Sequence, residues 1–214
     1  MNNLRIKSFT FNPIQENTYI ISDETGEAAI IDAGCYYEEE KQTVRNYLES
    51  EGLTLKLVLN THLHFDHQFG NRFLFDTYGL QPHAHRDDEF LLDRVVAGAS
   101  VYGFPIKENA QPIGHYLNEG DSITFGTTTL HCIHVPGHCP GHVVFHDAAN
   151  KVLFAGDVLF RGSIGRTDLE RGNHAQLIKG ITEKLLILPG ETVVYSGHGP
   201  STTIGEERSS NPYL

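Results

Sequence analysis

Residues 61–67 read "THLHFDH" and directly follow the apolar run "LKLVL", so His62, His64, Asp66 and His67 leave one strand end together. Any fold of this chain must satisfy three imidazoles and a carboxylate at that point. In an extended turn, His62 and His64 at i and i+2 point to the same side, within reach of one cation. Asp66 and His67 lie just past them, where the chain must bend, and face a second point nearby. Imidazole and carboxylate without thiolate suit Zn²⁺, Fe or Mn rather than Ca²⁺ or a structural cysteine-type zinc. The bland alternative is a polar surface turn, and the rest of the chain weighs against it.

Short β-branched or aromatic segments recur at 4–11, 17–22, 28–34, 55–61, 129–135, 142–147, 151–157 and 192–198. Helical periodicity covers 38–51, about 68–78, 87–97 and 174–188. No repeat or linker-like shift interrupts them. The order, strands first and then strand and helix mixed, predicts an α+β chain: a two-layer β core flanked by helices, one domain over residues 1–214.

Four of the apolar strands end in a metal-competent residue: "LKLVLNTH" in His62, "CIHVPGH" in His138, "VLFAGD" in Asp157 and "VVYSGH" in His198. Strand ends on a rigid sheet are where distant sequence can assemble a site. Taken singly, His138 in its Gly/Pro turn and Asp157 after Gly156 are ordinary turn chemistry. Together with the opening motif they make five histidines and two aspartates, enough for two metals sharing a bridging carboxylate. A closed structural zinc needs only four ligands, so seven leave positions open for water, as a catalyst requires. Of the 13 histidines, His83, His85, His115, His131 and His146 read as core or surface residues and His174 as a helix start. His134 and His142 flank the site as supporting donors.

As a set, "THLHFDH", "PGHCPGH", "AGD" and "SGHGP" resemble the metallo-β-lactamase superfamily, its glyoxalase II-like branch in particular, over almost the whole chain. The resemblance implies a four-layer αββα sandwich with a binuclear site at one edge. One metal would take His62, His64 and His138, the other Asp66, His67 and His198, with Asp157 bridging. Asp32 in "IIDAG" matches a family aspartate that supports these ligands. Arg166, in "LFRGSIGRTDLERG", stands where glyoxalase II enzymes place a cation near the substrate's anionic end, able to clamp a carboxylate; a solvated loop arginine is the alternative. After His198 only "GPSTTIGEERSSNPYL" remains. The chain thus resembles the short members without the C-terminal helical domain, and glutathione specificity stays open. Cys139 adjoins a ligand and is expected not to coordinate.

Two cations about 3.5–4 Å apart bring a bridging water near neutrality, a hydroxide nucleophile without a separate base. Asp66 and Asp157 are the carboxylates assigned to that step. No Lys, Tyr or Glu stands out as a general acid. A thiolate, with a free-thiol pKa of about 8.5, leaves without one, whereas an amine or alkoxide gains far more from protonation. Hydrolysis of an acyl thioester therefore fits best, hydroxyacyl-glutathione or a similar thioester being what the resemblance implies, with activated esters or lactones next. A mononuclear iron persulfide dioxygenase would need only His62, His138 and Asp157. A phosphodiesterase or nuclease would want a basic exosite, which a net charge of −11 does not offer. A β-lactamase would need export, and "MNNLRIKSFTFNPIQ" lacks an apolar signal region. A metal-dependent scaffold ranks last. No run approaches the roughly 18 apolar residues of a membrane span. Cys35, Cys132 and Cys139 form no C-x-x-C pair, which reads as reduced thiols in a cytoplasm. Zinc is the expected metal, with iron or manganese open. The pocket walls are expected from 93–118 and 159–172.

Overall fold

Strands apolar on both faces must be covered on both, and alternation along them decides what covers each side. The computed structural model describes residues 4–106 and 109–214. Met1–Asn3, and Lys107 and Glu108 within the 93–118 stretch, lie outside them. The first sheet runs in chain order: β1 (Arg5–Phe11), β2 (Glu16–Ser22), β3 (Glu27–Ile31), β4 (Thr54–Leu59), β5 (Pro82–His85) and β6 (His115–Leu117). The second contains β7 (Ser122–Phe125), β8 (Thr128–His134), β9 (Val143–Asp147) and β10 (Val152–Gly156). After a small hairpin of β11 (Leu159–Phe160) and β12 (Ser163–Ile164), β13 (Val193–Ser196) and β14 (Thr202–Thr203) complete it, in the order β14-β13-β10-β9-β8-β7.

Alternation sorts the side chains into three cores. Tyr19 and Ile21 of β2, with Ala29 and Ile31 of β3, face Phe145, Val152 and Phe154 of the second sheet. Their neighbours Ile20, Ala28 and Ile30 point the other way, against Val44 and Leu48 of α1 (Glu38–Ser50) and Phe73 and Leu74 of α2 (Asn71–Tyr78). On the far side of the second sheet, Val144, Leu153 and Ala155 meet Leu177 of α4 (His174–Gly180) and Ile204 of α5 (Ile204–Ser210). The layering is αββα, the metallo-β-lactamase fold. Between α2 and α4 a 3₁₀ segment, Arg86–Arg94, leads into α3 (Val95–Val101). Among the described residues no helix is long and apolar enough to cross a membrane.

Three elements depart most from expectation. The third strand stops at Ile31 because Asp32 turns out of the sheet with φ +50°. The helix expected over 87–97 is 3₁₀ first and α only from Val95. The periodicity at 174–188 is one short α-helix continued by a π turn, Ile181–Leu185.

Candidate metal centre

The ends of β3, β4, β8, β10 and β13 converge on one edge of the sandwich. Leaving β4, Phe65–His67 close a 3₁₀ turn that reverses the chain after His64. His62, His64 and His138 present ring nitrogens all within 4.8 Å of one another, and so do ligand atoms of Asp66, His67 and His198. Asp157 lies between the sets: Oδ2 is 3.6 Å from His138 Nε2 and 3.7 Å from His198 Nε2, and Oδ1 is 3.5 Å from His67 Nε2. All seven residues singled out as candidate ligands thus meet, with Asp157 between the two sets.

The outer bonds of the imidazoles fix which nitrogen points inward. His67 Nδ1 is 3.1 Å from Asp32 Oδ2, His138 Nδ1 2.8 Å from the Arg166 carbonyl, and His198 Nδ1 3.1 Å from the Gln15 carbonyl. His62 Nδ1 is 3.1 Å from Thr61 Oγ1, whose hydroxyl donates to Asp32 Oδ2 at 2.6 Å. These four therefore present Nε2. His64 alone turns Nδ1 inward, 2.9 Å from His138 Nε2.

The donor set fits a pair of cations. His62 Nε2, His67 Nε2 and Asp157 Oδ1 are buried with no hydrogen-bond partner, and buried polar atoms left in that state are costly. The two sets differ in charge preference. Burial keeps His62 and His138 below the ordinary imidazole range and brings His64 down to about 3, so that set offers neutral lone pairs. Burial also opposes a proton on His67, but the Asp157 and Asp66 carboxylates outweigh it and raise that imidazole. His198 is raised too, the hydrogen bond to Asp66 overcoming burial. Asp157 is held well below the carboxylate range: burial works against its charge, and His67 more than compensates.

Several supports went unread in the sequence. Glu16, at the head of β2, is fully buried 3.9 Å from His67 Nδ1, and burial pushes its carboxyl up. Asn17 clamps the His198 loop, its side chain donating to the carbonyls of Ser196 (3.2 Å) and Gly199 (2.8 Å). Asp88 joins the two histidine loops: Oδ1 accepts from Gly141 N at 2.6 Å and Oδ2 from Cys139 Sγ at 3.0 Å in one, and the same carboxylate accepts from the Leu63 backbone in the other. Cys139 is thereby occupied away from the cluster and belongs to none of the ligand groups. Nothing local marks Glu16 or Asp88, which are ordinary acids until the fold buries them.

Two expectations need correction. His142 is an acceptor, its Nε2 taking the Asp157 N–H at 3.0 Å, while its ring stacks on His62 with centroids 4.7 Å apart. His134 stands outside the cluster, bonded to the Pro140 carbonyl at 2.8 Å and stacked on His85. Arg166 does line the cavity over the site, but Asp168 already grips its guanidinium with two bonds of 2.7 and 2.8 Å.

The chain matches the metallo-beta-lactamase superfamily over residues 11–198 and belongs to that superfamily. It is 36% identical over 212 residues to the Haemophilus influenzae protein named hydroxyacylglutathione hydrolase GloC, covering 99% of this chain and 98% of that one. Among solved structures it is similar to BLEG-1 B3 metallo-beta-lactamase (TM-score 0.88, 40% identity, 98% and 99% of the two chains). It is also similar to TTHA1623, solved in a di-iron-bound form (TM-score 0.86, 37% identity, 97% and 100%).

Proposed function

We propose that this chain, acting as one domain over residues 1–214, is a binuclear metal-dependent hydrolase of acyl thioesters. The observation that carries the reading is the convergence of seven N/O donors, three with orphaned buried atoms, five of which (His64, Asp66, His138, Asp157 and His198) line a cavity of about 570 Å³. His62, His64 and His138 would hold one ion and Asp66, His67 and His198 the other, with Asp157 shared and Asp32 orienting imidazoles of both sets. The ions, when bound, supply an activated water and polarise the substrate carbonyl. The protein's own part is to hold neutral imidazoles on one side and a carboxylate-rich set on the other.

The leaving group follows from what the cavity wall lacks. Among its described residues there is no lysine, and its one glutamate, Glu170, is paired with Arg94 at 3.0 Å. Tyr102 is a wall hydroxyl the sequence did not single out, and it lies against Arg166. With no free acid at hand, a thiolate is the leaving group that departs most easily. The name of the GloC relative supports the same class. Arg166 contacts substrate as part of the wall in this reading, its charge offset by Asp168. Zinc is the proposed metal, the di-iron relative making iron the first rival, and the compartment proposed is the cytoplasm. No nucleic-acid partner is proposed.

The test compares kcat/KM for S-lactoylglutathione, a simple thioester, a homoserine lactone, nitrocefin and bis-p-nitrophenyl phosphate on protein of measured metal content. Thioesters should lead on protein with about two ions per chain. A faster lactam or phosphodiester would refute the reading, and about one iron with oxygen uptake on a persulfide would replace it with the dioxygenase.

A further inference from the structure

The cavity over the donor cluster measures about 570 Å³, within the range that engulfs a small-molecule substrate. Its wall is apolar. Leu63 and Phe65 rise from the histidine loop, Leu91 and Val95 from the segment opposite, Ile14 from the β1–β2 turn, and Leu169 closes the far side. At the mouth Val101 is 84% exposed and Tyr102 56% exposed, an apolar lip that solvent alone does not explain.

Two cations line this cavity among the described residues, and each is already paired. Arg94 Nε sits 3.0 Å from Glu170 Oε2, and Arg166 holds Asp168 bidentately at 2.7 and 2.8 Å. An anionic carrier such as glutathione, with two carboxylates and one ammonium, would have to break one of these pairs to be clamped. A hydroxyl carried further along the acyl chain, away from the carbonyl, would meet aliphatic wall, where an unpaired polar group is penalised.

Resting on the thioester-hydrolase reading, we propose that the cavity selects an uncharged, apolar acyl group: the substrate is an aliphatic acyl thioester rather than a hydroxyacyl ester of an anionic thiol. Hydrolysis breaks its acyl C–S bond and forms a C–O bond to water oxygen, releasing the carboxylic acid and the free thiol. The wall recognises chain length, and the metal floor recognises only the carbonyl.

The experiment uses acetyl, butanoyl, hexanoyl and octanoyl thioesters of N-acetylcysteamine alongside S-lactoylglutathione. In parallel, calorimetry measures binding of the S-alkyl thioethers of the same thiol, which cannot be hydrolysed. Both kcat/KM and affinity are expected to rise with each methylene, by up to about fourfold. The octanoyl ester is expected to outrun S-lactoylglutathione. Leu169→Asp is expected to compress the octanoyl-to-acetyl ratio roughly tenfold, as a mismatched pocket contact does. A series that is flat or falling in both readouts, or faster turnover of S-lactoylglutathione than of the octanoyl ester, overturns the proposal. Should no thioester be cleaved while thioether affinity still climbs with length, the apolar selectivity stands and the thioester reading falls.

Discussion

Asp32 is the residue on which both halves of the metal centre lean. Its carboxylate accepts from Thr61 N at 2.7 Å and Thr61 Oγ1 at 2.6 Å, and it faces His67 Nδ1 at 3.1 Å. Through Thr61 it reaches His62, of one set, and directly it reaches His67, of the other. It does so from the left-handed region at φ +50°, which aspartate and asparagine tolerate better than most residues. Asp32→Asn keeps the shape and the backbone, yet an amide offers one acceptor oxygen and an NH₂ where three donors converge. One donor must then face another. Metal affinity is expected to fall about 10–100-fold with helix and sheet content unchanged, as read by competition with a chelator and by circular dichroism. Asp157→Ala goes further, removing the shared carboxylate; metal analysis should then give less than the wild-type stoichiometry, with activity down at least about 10²-fold. Wild-type occupancy in that variant would deny Asp157 a bridging role.

At the scale of elements, the site depends on a segment with no ligand in it. The 3₁₀ stretch Arg86–Arg94 delivers Asp88, wholly buried, to the backs of the two histidine loops. Removing its carboxylate in Asp88→Ala strands the Gly141 N–H and the Cys139 thiol in the interior. A loss of about 3 kcal/mol is expected in denaturant unfolding, from lost charged hydrogen bonds and unsatisfied donors, together with weaker metal retention; a change within ~0.5 kcal/mol would show that the loops hold themselves. This contact leaves no trace in the sequence. The candidate ligands are legible because their four motifs each follow an apolar strand. Asp88 is not, since its role exists only once "THLHFDH" and "PGHCPGH" lie side by side. The strands β5, β6 and β7, reading "PHAH", "HYL" and "SITF", escaped for a different reason: each is too short or too polar to alternate visibly. Helix α5 did carry a signal, Thr203 accepting from Glu206 N in a T-x-x-E start, but "IGEERSS" has little apolar periodicity to follow it.

For the whole molecule, metal binding and stability are separable because they sit at opposite ends of the sheets. β3 and β8 run toward the metal edge, so the turns before them, at 23–27 and 125–128, lie at the far edge. There Asp23 staples one sheet to the other: it accepts from Thr25 N at 3.0 Å within its own turn and from Thr127 N (2.7 Å), Thr128 N (3.1 Å) and Thr128 Oγ1 (3.0 Å) across the sandwich. Burial would raise its carboxyl, but these donors outweigh burial and lower it to about 2. The folded group therefore gives up its proton more readily than the unfolded one, near 3.8. Its contribution is present above the unfolded value near 3.8 and drains away as pH falls through about 2, below which both states are protonated. Asp23→Ala should cost about 2 kcal/mol at neutral pH, with the gap to wild type narrowing below pH 4 as folded and unfolded states converge in protonation. Because the staple is remote from the ligands, metal stoichiometry measured at pH 7 should match wild type. If the variant instead shed metal in proportion to its lost stability, the two edges would be coupled through the sheets, and the metal centre would be one consequence of global rigidity rather than a locally braced site.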